Sequence, residues 1–206
     1  MSPRIVDKEK RKREIALAAL EIFSQKGYEA ASMSQIAKLA GIGKGTIYEY
    51  FESKEKLILS AIKAWAELLE AEAEKQIEGI DEPVERLRKY VQSSMAAFAS
   101  DKRVMRLMIA MIQIMLDDEE LRSQQDLIRE AMQGICKAIT DILLDGAAQG
   151  VFRPEVSANA GKIAINLLAY LDGIGMYYYM LENYINLEEQ VSFYLDDLLK
   201  GLRAEG

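Results

Sequence analysis

Histidine is absent from this chain, and cysteine occurs once, at Cys136. Without histidine there is no Ser-His or Cys-His nucleophile system and no His-ligated metal site. A lone cysteine cannot close an intrachain disulfide, and its helical, apolar surroundings read as a buried small hydrophobe. No apolar run reaches the roughly 18 residues of a membrane span, because Arg106, Gln113 and Asp172 interrupt the longest candidates. The charged stretch from Arg4 to Glu14 has no apolar core behind it, so no signal peptide is visible and a cytoplasmic protein is expected. Long repeats, low-complexity tracts and strand-like alternation are also missing. Acids are plentiful, but none is spaced as an acid-base pair or a carboxylate metal site. The expectation is a protein that is not an enzyme and needs no metal or cofactor.

What is present is a soluble globular composition of 206 residues, half of them apolar and 29% charged. The net charge of −7 is distributed unevenly. Residues 1–63 hold 12 Lys and Arg against 8 Asp and Glu, while the remainder holds 14 against 25. Phosphate affinity follows the local field, so only the first segment suits nucleic acid.

Helical periodicity runs through nearly the whole chain and predicts an all-α fold of about nine helices. The first spans about Lys8–Lys26, with Ile15, Ala19, Ile22 and Phe23 on one face, and Gly27 closes it. Ser32 caps the second, with Gln35 completing a capping box; Ile36 and Leu39 are its expected core residues, and Gly41 stops it. The third runs from Lys44 to about Phe51. Ser53 caps a fourth, about Lys54–Gln76, with Leu57, Ala61, Ala64, Trp65 and Leu68 along one side. Asp81 with Pro83 starts a fifth, which faces Val84, Leu87, Val91, Met95 and Phe98 inward. Asp101 caps a sixth, to about Leu116. The seventh covers about Glu119–Gln149, with Leu121, Ile128, Met132, Ile135, Ile139 and Ile142 on its stripe and Gly150 at its end. Two more follow Pro154, at about Ala158–Leu181 and Leu187–Arg203. The division expected is a three-helix head at 1–53 and a larger body at 54–206.

The segment Ser32–Leu57, two short helices joined by a glycine turn, has the layout of a helix-turn-helix, whose second helix enters the major groove of DNA. Together with Ile15, Ala19, Phe23, Gly27-Tyr28, Ile36-Ala37, Ala40-Gly41-Ile42, Lys44-Gly45-Thr46-Ile47-Tyr48, Phe51 and Lys54-Glu55, it resembles the tetracycline-repressor (TetR) family of bacterial transcription regulators. The resemblance is specific over about residues 10–60. Beyond that it rests on helix number, helix length and the Leu171-Asp172-Gly173 step. It implies a dimeric repressor that binds a palindromic operator and responds to a ligand.

In such a fold Ile47 and Phe51, four apart, point into the head, which leaves Lys44, Thr46, Tyr48, Glu49 and Tyr50 nearer the DNA. Lys44 offers a donor for guanine or phosphate, and Thr46 a hydroxyl and a methyl for a thymine methyl. Gly45 lets the backbone approach closely. The resemblance implies base or backbone contact for Tyr48, and phosphate contacts for Tyr50, Lys54 and Ser32. Packing within the head is the alternative for the two tyrosines, and a solvated side chain for Lys54. The basic run Lys8, Lys10, Arg11, Lys12 and Arg13 reads either as a solvated helix start or as an arm reaching DNA. Two positions depart from the family pattern. Gly43 replaces a frequent capping serine, at a cost of a few tenths of a kcal/mol. Glu49 replaces an aromatic phosphate contact; it either repels the backbone or accepts from a cytosine amino group.

In the body, the eighth expected helix is apolar all round and so needs cover on more than one side. With the ninth it forms the candidate dimer face: Asp172, Gly173, Gly175, Tyr177, Val191, Tyr194, Leu195 and Leu198. Asp172 reads as a structural or interface group rather than a ligand contact. Four of the ten methionines fall between Met105 and Met115. Met108, Met111 and Met115, with Met95, Phe98, Met132 and the polar Gln113, Gln125 and Asn166, are candidate lining for an effector pocket; plain core filling explains the apolar ones equally well. The partners expected are double-stranded operator DNA, a small and mainly apolar effector, and a second copy of the chain, but no membrane. A helical ligand-binding or scaffold protein with an impaired head is the alternative.

Overall fold

The structure, a computed structural model, describes residues 8–100, 105–106, 108–110, 112, 116, 125–181 and 184–204. The described residues are helical almost throughout. The helices are α1 (Lys8–Lys26), α2 (Met33–Leu39), α3 (Lys44–Tyr50), α4 (Lys54–Gln76), α5 (Pro83–Ser100), α6 (Gln125–Ala148), α7 (Glu155–Met180) and α8 (Leu187–Leu202). The capping of a further helix by Asp101 and the Leu121 end of the long helix lie outside the described residues, as do the side chains of Phe98, Ile128 and Met132.

Local chemistry sets the boundaries. The Ser32 hydroxyl accepts from the Gln35 amide at 3.3 Å, and the Gln35 side chain accepts from the Ser32 amide at 3.2 Å. This reciprocal box satisfies two donors that the first turn of α2 leaves without helical partners. At the other end Gly41 takes φ +68°, and the Ile42 amide reaches back to the Ala37 carbonyl at 2.9 Å. That i to i−5 bond closes the helix and requires a left-handed residue, which glycine supplies without a Cβ penalty. α5 is capped one residue later than expected. Glu82, not Asp81, accepts from the amides of Val84 at 3.1 Å and Glu85 at 2.6 Å. α7 starts three residues earlier than expected, directly after Pro154, whose ring presets a helical φ.

The chain divides into two compact units, one comprising Met1–Glu67 with Arg103–Ala131, the other Leu68–Lys102 with Met132–Gly206. This division falls inside α4. The reason is burial: Leu57, Ile58, Ala61 and Ala64 of α4 belong to the same core as Ile15, Ala19, Phe23, Ile36, Ile47 and Phe51. Leu39, expected in that core, is 45% exposed. Ile36 and Ala37 face inward with Met33, and Leu39 falls on the opposite side of this seven-residue helix.

The second unit is built on α5, α7 and α8, which pack directly on one another, together with α6. Its core includes Leu87, Val91, Ile139, Ile142, Leu143, Ala164, Leu167, Val191, Leu195 and Leu199. A short antiparallel bridge joins Phe152 to Arg203. There the Arg153 amide donates to the Leu202 carbonyl at 2.9 Å and the Ala204 amide to the Val151 carbonyl at 3.2 Å. The Phe152 ring lies against Gly146 of α6, where any Cβ would enter the space of the ring. Among the described residues no helix is long and apolar enough to cross a membrane.

Candidate nucleic-acid interface and interior polar cluster

α3 is a short helix held from behind. Ile47 is fully buried and Phe51, just past its end, is 3% exposed. Residues 44, 45, 48 and 49 share the opposite face (helical neighbours one turn apart), and Lys44, Gly45, Tyr48 and Glu49 are all exposed there. Thr46 and Tyr50 are half-buried, and Tyr50 packs on the head core. Gly43 caps the helix with extended backbone and no side-chain bond. Ser32 is exposed at the start of α2 with its hydroxyl engaged in the cap.

Lys54 occupies a different setting. Its ammonium donates to the carbonyl oxygens of Tyr28 at 3.0 Å, Ala31 at 3.4 Å and Glu29 at 3.5 Å. It also lies 4.2 Å from the centroid of the Tyr28 ring. The Tyr28 hydroxyl donates to Glu55 at 2.9 Å. Burial raises the Glu55 pKa, but bonds from its own amide, Ser53 and Tyr28, with the charge of Lys54, hold it net below the usual carboxylate value. Lys54 is half-buried and ties the α1–α2 loop to the start of α4.

Arg11, Lys12 and Arg13 of the basic run are also engaged. Arg11 donates to the Ala40 carbonyl at 3.1 Å, at the end of α2, and pairs with Glu14 at 2.5 Å. Lys12 stands 5.7 Å over the Phe51 ring, and Arg13 pairs with Glu67 at 3.5 Å. Lys8 and Lys10 are exposed.

Of the candidate pocket residues, three side chains fall among those described. Met95 is buried in the second unit's core, whereas Met108 is half-buried within the first unit. Asn166 lies on the exposed face of α7 and lines no interior. Met111, Gln113 and Met115 lie outside the described residues, as do the side chains of Phe98, Gln125 and Met132.

The candidate dimer residues differ in burial within the subunit. Val191 and Leu195 are 2% and 0% exposed in the subunit's own core, and Gly175 is buried as well. Within the subunit these positions are packed by its own helices. Gly173 and Tyr177 are exposed, Asp172 is half-buried, and Tyr194 stacks on Tyr170 with centroids 3.7 Å apart. Leu198 is half-buried against the core. The unsatisfied surface is a stripe along α7 through Ile165, Ala169, Gly173, Met176, Tyr177 and Met180. Ile165 and Tyr177 are both 61% exposed, and Phe193 on α8 is 73% exposed. Sequence reading missed Ile165 and Phe193. The signal available was a helix apolar on every side, which does not say which side its own subunit covers.

The second unit also holds polar groups indoors. Tyr90 of α5 is 1% exposed, and its hydroxyl has no hydrogen-bond partner among the described residues. Burial first, then the charges of Glu70, Glu74 and Cys136, push its pKa up. Cys136 is half-buried rather than fully buried. Burial and the neighbouring Asp172 raise its thiol, and burial raises Asp172 itself.

An exposed polar face on a short helix, backed by a capped helix and a glycine turn, defines a helix-turn-helix regulator with a separate helical body. Residues 15–61 match the bacterial regulatory proteins of the tetR family, and residues 83–179 match the tetracyclin repressor-like C-terminal domain. The uncharacterized HTH-type transcriptional regulator YhgD of Bacillus subtilis (strain 168) is 31% identical over 146 residues, 70% of this chain and 73% of that protein. The fatty acid metabolism regulator protein of the same strain is 28% identical over 70% of this chain and 72% of its own length. The crystal structure of the B. subtilis regulator FadR in complex with stearoyl-CoA superposes with TM-score 0.67 at 23% identity, covering 92% of this chain and 98% of that one. The chain belongs to the TetR family of bacterial transcriptional regulators.

Proposed function

We propose that this protein is a homodimeric, cytoplasmic repressor that binds a palindromic operator and is released by a small, mainly apolar ligand. The observation that carries the reading is the α3 face, where Lys44, Gly45, Tyr48 and Glu49 stand exposed on a helix anchored by Ile47 and Phe51. Thr46 and Tyr50 flank that face, and Ser32 stands at the neighbouring helix start. Side chains of these types make the base-edge and phosphate contacts of major-groove readers. Lys54 serves DNA binding indirectly in this reading, by fixing the loop before α2.

The apolar α7 stripe with Phe193 supports a second copy as partner, because such a surface is costly in water. Two heads then engage half-sites about one DNA turn apart. The fatty acid regulator among the relatives, and the stearoyl-CoA held by the FadR neighbour, support an apolar effector. Its action is linkage: a ligand that prefers the state unable to grip both half-sites draws the population off the operator.

Selection of bound fragments from a genomic library tests the DNA reading. The expected result is an inverted repeat bound far beyond random duplex at the same salt. Binding that only tracks salt, with no sequence preference, overturns it and leaves a scaffold or ligand-binding protein. Ile165→Glu tests the dimer: sedimentation should show the parent as a dimer and the variant as a monomer, and a variant that stays dimeric refutes the α7 face.

A further inference from the structure

α3 presents the reading face on seven residues, and its own sequence does little to aim it. Gly43 caps its start without a side-chain bond, and Ile47 is its buried residue. A helix this short draws little stability from its own backbone bonds, so its direction is set where its ends are held.

Both ends meet a basic side chain of α1. Before the start of α3, the Arg11 guanidinium donates to the Ala40 carbonyl at 3.1 Å. Ala40 is the C-cap of α2, and Gly41 with φ +68° begins the turn beside it. The last carbonyls of a helix lack intrahelical donors and lie at the negative end of its dipole, so a cation suits that place. Glu14, one turn along α1, accepts from the other terminal nitrogen of Arg11 at 2.5 Å. With two partners the planar guanidinium is fixed in direction, which a lysine ammonium would not be. At the far end, the Lys12 ammonium stands 5.7 Å from the centroid of the Phe51 ring. Phe51 is the C-cap of α3, and its amide donates to the Ile47 carbonyl at 3.0 Å. α1 is itself anchored, since Ile15, Ala16, Ala19 and Phe23 lie in the head core.

We propose that Arg11 and Lys12 are positioning residues for the reading helix: α1 holds the α2–α3 turn through Arg11 and the end of α3 through Lys12, and thereby sets how Lys44, Tyr48 and Glu49 meet the base edges. This rests on the operator-binding reading and assigns part of its sequence discrimination to α1. Arg11 acts through the Ala40 carbonyl, not through phosphate. Losing it therefore weakens the fit to one sequence, whereas attraction to any duplex follows the charge of the head.

Arg11→Met, Lys12→Met and Glu14→Gln in the full-length chain test it. Each is titrated with the operator selected from the genomic library and with a random duplex of equal length, over a range of salt and below every variant's melting temperature. Arg11→Met should lower the operator-to-random affinity ratio about tenfold, the scale of one base contact, with the salt slope unchanged. Lys12→Met should lower it about threefold, the scale of an exposed cation–π contact. Glu14→Gln makes the head more positive and should tighten random duplex, yet the ratio should fall because the guanidinium loses its second partner. An unchanged ratio in Arg11→Met, whatever its melting temperature, overturns the proposal and leaves a structural arginine. A salt slope smaller by about 0.9 in Arg11→Met also overturns it and makes the residue a phosphate contact. So does a Glu14→Gln gain that is equal on both duplexes. Hydrogen exchange read peptide by peptide without DNA separates this proposal from the reading beneath it: Arg11→Met should speed exchange across residues 40–47 and leave α5 unchanged. A parent with no sequence preference, but with that local speeding in Arg11→Met, sinks the operator reading and leaves the grip of α1 standing. A sequence-selective parent whose ratio and turn exchange do not change in Arg11→Met does the reverse.

Discussion

Replacing Lys54 by methionine separates two roles for the same residue. Methionine keeps most of the aliphatic stem and removes only the charge and its donors. The parent ammonium bonds three carbonyls between 3.0 and 3.5 Å and faces the Tyr28 ring at 4.2 Å. A hydrogen bond to a charged group contributes about 1.5–3 kcal/mol, and a partly exposed cation–π contact about 0.5–1 kcal/mol. The Glu29 carbonyl is on an exposed residue and regains water, and Tyr28 keeps its bond from the Ala31 amide at 3.3 Å. The expected loss is therefore about 2 kcal/mol, near the lower end of that range. Trp65, the chain's single tryptophan, lies in α4 within the same unit, so its fluorescence follows urea unfolding there. The midpoint should fall with an unchanged slope. DNA binding should weaken without a change in salt dependence, because no phosphate contact is removed. Unchanged stability with a salt slope smaller by about 0.9 would refute this account and make Lys54 a direct phosphate contact.

The remaining tests probe a packing contact, a specificity residue and a buried acid. Gly146→Ala forces the Phe152 ring, 1% exposed, off its seat and strains the bridge to Arg203. Thermal melting should show a loss of about 1–3 kcal/mol, and Phe152→Leu should partly rescue it; simple additivity of the two changes would show that they are not in conflict. Glu49→Ala should relax preference at one base pair, worth about 1–3 kcal/mol, across a panel of operator variants, and an equal gain on every sequence would mean that the carboxylate only repels. Burial raises the Asp172 pKa above its ordinary 3.8, so the folded state holds its proton more tightly than the unfolded chain. Its penalty is absent below 3.8 and grows as pH rises through the raised folded value, and stability falls over that window. Asp172→Asn should therefore raise the melting temperature at pH 7 and not below the ordinary carboxylate pKa; a variant no more stable at pH 7 contradicts it.

Features governed by neighbours in sequence were legible without the fold. The Ser32–Gln35 capping box, the Gly41 stop, the span of α1 and the inward Ile47–Phe51 pair all depend on contacts within a few residues. The same holds for the polar composition of α3, which made the head recognisable. Long-range partners were not legible, because periodicity tells which residues share a face but not what that face meets. Leu39 fits an apolar stripe and is exposed, since α2 needs only Met33, Ile36 and Ala37 to fill its side of a small core. Val191 and Leu195 look like any interface residues until α5 and α7 are seen to cover them.

The sequence by itself determined an all-helical regulator with a basic head, because capping, turn chemistry and charge are local properties. Tertiary structure alone decided that Lys54 holds a loop, that Ile165 and Phe193 are left uncovered within the subunit, and that the Tyr90 hydroxyl is enclosed without a hydrogen-bond partner among the described residues. Each of these depends on which distant backbone atoms and side chains arrive within about 3–4 Å. No spacing along one chain encodes that without the packing of the helices.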